Sequence, residues 1–188
     1  MNEDWIAGGG EFGMHPHWDV EILTYVLSGA LRHRDSLGNL SVMKAGEALR
    51  ISAGRGIEHS AMNYSRTEPV HLVEVWITPE APDLTPGFQQ KSFVDVAKGE
   101  LTLMASRTGR DGSMVIHQNV DVLLGKLNGK EVEYGIRPDR GVWLQVTDGR
   151  LEANGVVMAA GDGAGINDET SLRLRALEPA NFLLFDLA

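Results

Sequence analysis

The chain has 188 residues, no cysteine, and 17 Lys+Arg against 26 Asp+Glu, a net charge of -9. Without thiols there are no disulfides, thiolate metal sites or cysteine nucleophiles, and any transition metal must be held by imidazole, carboxylate or water. The acidic balance argues against direct nucleic-acid binding, and no apolar run approaches the roughly 18 residues of a membrane span.

The opening MNEDWIAGGGEFG lacks the basic start and apolar stretch of a secretion signal, so a cytoplasmic location is expected. Further along, short apolar runs between turn signals predict strands at Ile22–Leu27, Leu49–Ile51, Leu72–Ile77, Leu101–Ala105, Ser113–His117, Val142–Val146, Leu172–Leu177 and Phe182–Leu187. Turn compositions separate them, such as Asp35-Ser36-Leu37-Gly38-Asn39, Thr147-Asp148-Gly149 and Asn154-Gly155. Many short strands with almost no helical periodicity predict an all-β sandwich or barrel.

An internal repeat divides the chain. The run from Ile22 to Leu31, followed by Val42-Met43-Lys44-Ala45-Gly46-Glu47, is matched by Val142 to Leu151, followed by Val157-Met158-Ala159-Ala160-Gly161-Asp162. Two copies imply two similar β modules. The stretch from Pro79 to Gly87 holds three of the seven prolines, which suits a connection, because proline cannot donate within a ladder. The expected organisation is a first module over 1–80, a linker over 81–92 and a second module over 93–188.

The chemistry is concentrated in His15-Pro16-His17. Alternate residues of a strand share a face, so His15 and His17 can offer two ring nitrogens to one ion, and His59 lies far enough along for another strand to return there. Taken alone, the pair can equally be half-buried, hydrogen-bonded side chains. His33 and His71 read as solvated strand or loop residues, with Arg32-His33-Arg34 a solvated strand edge, and His117 has no partner at ligand spacing. No Gly-x-Ser-x-Gly, P-loop or Rossmann fingerprint is present.

The runs Phe12-Gly13-Met14-His15-Pro16-His17, Glu21 to Gly29, His33 to Asn39 and Ser52 to Ser60 resemble the first barrel of pirin and its bacterial bicupin relatives. The similarity continues through Trp76-Ile77, Asp111-Gly112-Ser113, His117-Gln118 and Phe185-Asp186-Leu187. The resemblance implies a bicupin of two antiparallel, jelly-roll-like β-barrels, the second metal-free. The first would hold one divalent transition metal (Fe, Mn, Ni, Co, Cu or Zn) on His15, His17 and His59. It also implies quercetin 2,3-dioxygenase activity, with a small aromatic molecule such as a flavonol and dioxygen as substrates. The alternative is a non-catalytic regulatory or ligand-binding cupin, with or without metal.

Three departures from the pattern matter. The family's fourth ligand is a glutamate two residues after the third histidine, and here that residue is Ala61. Trp18 stands where relatives usually carry arginine. The opening Met1-Asn2-Glu3-Asp4-Trp5 resembles an interior stretch of the relatives, so the first barrel is expected to lack N-terminal strands and to present an edge through which a homo-oligomer can form. Two carboxylates can replace the lost ligand and act as catalytic base. Glu74 lies in the otherwise apolar strand Leu72-Val73-Glu74-Val75-Trp76, where a charge is costly unless paired, although a solvated edge position would also explain it. Glu21 keeps the parity of His15 and His17, although the pirin pattern suggests that it orients a histidine instead. Glu58, next to His59, is expected to face the other way.

Overall fold

The computed structural model describes residues 1–188 and divides them into two compact units, Met1–Asp95 with Ile116–Gln118, and Val96–Val115 with Asn119–Ala188. The strands of the first unit are β1 (Asn2–Ile6), β2 (Glu11–His17), β3 (Glu21–Ser28), β4 (Ala30–Asp35), β5 (Leu40–Lys44), β6 (Glu47–Ser52), β7 (Ile57–Asn63), β8 (Val70–Ile77) and β9 (Gly87–Ser92). They form a five-stranded sheet in the order β1-β8-β3-β6-β9 and a four-stranded sheet in the order β2-β7-β4-β5. Alternation builds the space between them: Ile22 and Val26 of β3, Leu49 and Ile51 of β6, and Leu72 of β8 meet Leu31, Met43 and Ile57 of the smaller sheet. Each fully buried aliphatic side chain contributes roughly 1.5–3 kcal/mol.

In the second unit the strands are β10 (Leu101–Ser106), β11 (Met114–Val115), β12 (Val120–Leu127), β13 (Glu131–Gly135), β14 (Gly141–Asp148), β15 (Arg150–Ala153), β16 (Val156–Ala159), β17 (Gly163–Ile166), β18 (Ser171–Ala176) and β19 (Ala180–Leu187). Their sheets run β11-β10-β12-β19-β14-β17 and β13-β18-β15-β16. The core between them is Leu144, Val146, Leu151, Leu172, Leu174, Phe182 and Leu184 with their neighbours. Pairing is antiparallel throughout except for β10 with β11. This is the all-β, two-module architecture expected of a bicupin.

Two details depart from the sequence reading. The segment expected to link the modules contributes β9, which runs along β6 with Ile51 opposite Phe88. The strand expected over 113–117 is only Met114–Val115, because the backbone beyond it is used elsewhere. The His117 carbonyl accepts from the Glu80 amide at 2.8 Å, and the Gln118 side chain donates to the Thr78 carbonyl at 2.8 Å.

Candidate metal centre

Strands β2 and β7 pair in the smaller sheet of the first unit, with His15 opposite His59 and His17 opposite Ile57. A bulge between Phe12 and His15 adjusts the register just before the histidines. The outcome is a tight cluster in which one ligand atom from each of His15, His17 and His59 lies within 4.8 Å of the others. The ring centroids are 4.8 Å apart for His15 and His17, 4.5 Å for His15 and His59, and 5.0 Å for His17 and His59.

Their hydrogen bonding is unusual for buried polar groups. His15 Nδ1 lies 2.7 Å from the Gly13 carbonyl, which makes Nδ1 the donor and leaves the Nε2 lone pair free. His17 Nε2 and both ring nitrogens of His59 are buried with no hydrogen-bond partner. An unpaired buried acceptor costs about 1–3 kcal/mol, so an arrangement with several calls for a ligand. Burial lowers the pKa of His59 to about 3, with repulsion from His15, His17 and His33 adding to it. Burial and then His15 lower that of His17 as well. Neutral, convergent imidazoles are the form a divalent transition metal requires, so the residues present fit such an ion.

One indole meets the cluster and a second lies over the turn that leads into β7. Trp76 is 56% exposed and meets the His17 ring edge-on at 4.9 Å, while its Nε1 donates to Glu74 Oε1 at 2.9 Å. Trp18 is also exposed, and its indole lies over Gly56, where a Cβ would come within 2.9 Å of Nε1. Gly56 has φ +132, a further reason for glycine at the turn that leads into β7.

Comparison with known proteins gives the family. The family model described as Pirin matches residues 1–77, and the one described as Quercetinase C-terminal cupin domain matches 103–187. A quercetin 2,3-dioxygenase of Escherichia coli (strain K12) is 42% identical over 188 residues, covering 100% of this chain and 80% of the relative. The chain belongs to the pirin family. A pirin-like protein of Caulobacter vibrioides is 37% identical over 190 residues, covering 100% of this chain and 82% of the relative. Among solved structures, the bacterial pirin YhhW of Escherichia coli in complex with nickel(II) has a TM-score of 0.93 at 41% identity, covering 98% of this chain and 80% of that one. The crystal structure of YhhW has a TM-score of 0.95 at 42% identity, covering 99% and 79%.

Against the pirin pattern, the position of the fourth ligand is the informative one. Ala61 lies on β7 opposite His33 of β4, two residues from the point where His59 is opposite Asp35. Neither candidate carboxylate is in the close-set ligand group. Glu74 pairs with Thr24 across β8 and β3 and shares the face of the core residue Leu72. It is therefore half-buried on the inner face rather than solvated, with its oxygens engaged by Trp76 and by Thr24 Oγ1 at 3.4 Å.

Glu21 is placed differently from the expectation that it shares the face of His15 and His17. Parity holds only within a strand, and the chain turns at Asp19 (φ 46) before entering β3 in the other sheet. The Asp19 amide donates to the Gly54 carbonyl at 2.9 Å, which anchors the turn. Next to the inward Ile22, Glu21 faces outward, fully buried, and accepts from Ser52 Oγ at 3.0 Å. His117 Nδ1 lies 3.1 Å from its other oxygen.

The remaining histidines also depart from the sequence reading. His33 is 1% exposed and bonded to Asp35, whereas a solvated edge residue was expected. His71 is half-buried, stacked on Trp5 at 4.0 Å and bonded to Glu3 at 2.8 Å. Strand alternation alone puts Leu31, His33 and Asp35 on one face, but only the two-sheet packing shows that this face is the interior.

Proposed function

We propose that this protein is a metal-dependent oxidoreductase of the quercetin 2,3-dioxygenase type, acting on a planar, hydroxylated aromatic molecule of the flavonol class with dioxygen. The observation that carries the reading is the set of buried, unpartnered ring nitrogens on His17 and His59 converging with His15. The quercetin dioxygenase names of relatives and the nickel(II) complex of YhhW support it. His15, His17 and His59 would hold one divalent ion, whose contribution is Lewis acidity toward the hydroxyl and carbonyl oxygens of the substrate.

The chain supplies the rest. Trp76, steadied by Glu74, and Trp18 offer flat apolar surfaces on which an aromatic ring can stack. Glu74, on the inner face beside Trp76, would receive the hydroxyl proton of the substrate. Glu21, turned outward and held by Ser52, instead orients the His117 segment.

Ala61 favours a second reading, in which the site binds metal without catalysis. One experiment separates the two. The metal-free protein is loaded in turn with Fe, Mn, Ni, Co, Cu and Zn, bound metal is measured, and oxygen uptake is followed with quercetin. The catalytic reading expects about one ion per chain and uptake above that of His59→Ala for at least one metal. Bound metal with only background uptake throughout establishes the second reading. No bound metal overturns both.

A further inference from the structure

Ala61 stands where the pirin pattern has a glutamate, and β4 sets a histidine directly across from it. Opposed residues on one face of an antiparallel pair have Cβ atoms about 4.5–5.5 Å apart. His33 and Ala61 are such a pair, on the face that also carries His59 and Asp35. The His33 ring lies 5.7 Å from that of His59 and stacks on Phe88 at 5.2 Å, with 26° between the planes.

The hydrogen bonding of His33 gives it a direction. Its Nε2 lies 3.1 Å from Asp35 Oδ2. A carboxylate can only accept, so Nε2 carries a proton, and in the neutral ring Nδ1 is then an acceptor. Asp35 is itself fixed, because its Oδ1 accepts the Leu37 and Asn39 amides at 3.0 Å and its Oδ2 accepts Asn39 Nδ2 at 2.8 Å. Burial opposes its ionisation, but the hydrogen bonds from Asn39 and His33 outweigh burial and keep it a carboxylate. A buried carboxylate that holds an imidazole by one nitrogen and leaves the other free is the arrangement that steadies groups around metal ions.

We propose that His33, oriented by Asp35, serves the position that Ala61 leaves open, its Nδ1 accepting a hydrogen bond from the water or substrate hydroxyl that takes the place of a carboxylate ligand. His33 is outside the close-set group of three, which suits a residue acting through one intervening oxygen. It is therefore a positioning residue, and the inference rests on the metal reading above. On this reading His15, His17 and His59 would hold the ion, and His33 would supply the hydrogen-bond partner for an oxygen from solvent or substrate in place of the carboxylate.

Calorimetric titration of the full chain with nickel(II) tests this in a four-way comparison of the unsubstituted protein, His33→Ala, Ala61→Glu and the double variant. His33→Ala is expected to weaken nickel binding by about tenfold in the Ala61 background and by less than about twofold once Ala61→Glu supplies its own ligand. His33→Gln, which keeps an acceptor, should stay within about threefold of the unsubstituted protein and guards against misfolding of the alanine variant. Equal losses in both backgrounds would make His33 a merely structural residue and overturn the proposal. So would an unchanged affinity in His33→Ala. If no form binds nickel, Ala61→Glu included, the metal reading itself fails and takes this inference with it.

Discussion

The smaller sheets of the two units have the same strand order, β2-β7-β4-β5 in the first and β13-β18-β15-β16 in the second, yet their interiors are chemically opposite. The sequence repeat sets Leu31 against Leu151. From there the ladders run in step, with His33 opposite Ala61 in the first unit and Ala153 opposite Leu174 in the second. One further step puts His59 opposite His15 in the first and Leu172 opposite Tyr134 in the second. Where the first unit has His59 and His33, the second thus has Leu172 and Ala153, both buried in its core. One frame can enclose convergent donors or a dry core, and a few inward positions decide which.

The second unit does bury charge, but every buried carboxylate is answered. Asp186 is fully buried and accepts from Tyr134, Arg140 and Arg137. Its burial would raise its pKa, but these hydrogen bonds and the nearby guanidinium charges hold it below the usual carboxylate range. Asp121 takes a bidentate bond from Arg110 at 2.8 and 2.7 Å and shares Arg137 at 3.1 Å. The first unit instead leaves ring nitrogens of His17 and His59 without partners. Satisfied polar groups lock a structure, whereas unsatisfied ones mark a place for a ligand.

The largest effect that would sharpen this contrast is expected in the second unit. Asp186→Ala leaves the buried Arg140 without its carboxylate partner and should cost about 3–5 kcal/mol of stability in urea unfolding. Nickel affinity of the remaining folded protein should be unchanged; a parallel loss would mean that the two networks are not separate. Next, matched truncations should have opposite signatures. Leu172→Ala is expected to cost about 2–5 kcal/mol of stability and leave nickel binding alone. His59→Ala should weaken nickel binding by at least about 100-fold, since loss of a ligand exceeds the usual effect of an outer partner.

A smaller effect is predicted on pH. His59 is held near 3 in the fold, against 6.5 for an ordinary histidine, so the unfolded chain binds more protons below pH 6.5. Stability of the metal-free protein should therefore be full above that pH and decline as the pH falls toward 3, by about 1.4 kcal/mol per unit for this one group. Thermal unfolding with a chelator present, compared with His59→Asn, checks it; equal slopes in the two proteins would refute the assignment to His59. Smallest of all, Trp76→Phe should weaken binding of a flavonol by about three- to tenfold with nickel affinity preserved. Fluorescence titration would show it, and a change in metal affinity instead would place Trp76 among the metal-supporting residues.

Much of this was legible in the sequence because it is local. Alternation in Glu11–His17 put His15 and His17 on one face, and glycine-bounded apolar runs marked strands such as β3, β8, β14 and β19. The resemblance in the His15-Pro16-His17 and Ile57-Glu58-His59-Ser60 motifs supplied the third imidazole and exposed Ala61 as the gap. What it did not disclose was the surroundings of that gap. Parity counted from His15 and His17 puts Glu21 on the histidine face, but the turn at Asp19 resets it.

Strand character, turn chemistry and the shared face of His15 and His17 were thus determined by the sequence itself, since each depends on neighbours within a few residues. Only the tertiary structure decided that Glu74 lies inward against Trp76, that Glu21 faces away, and that His33 stands across from Ala61 with Asp35 behind it. The reason is physical. Side-chain alternation is a property of one strand, but the register between strands, and which face becomes interior, are set by burial of apolar surface between segments far apart in the chain.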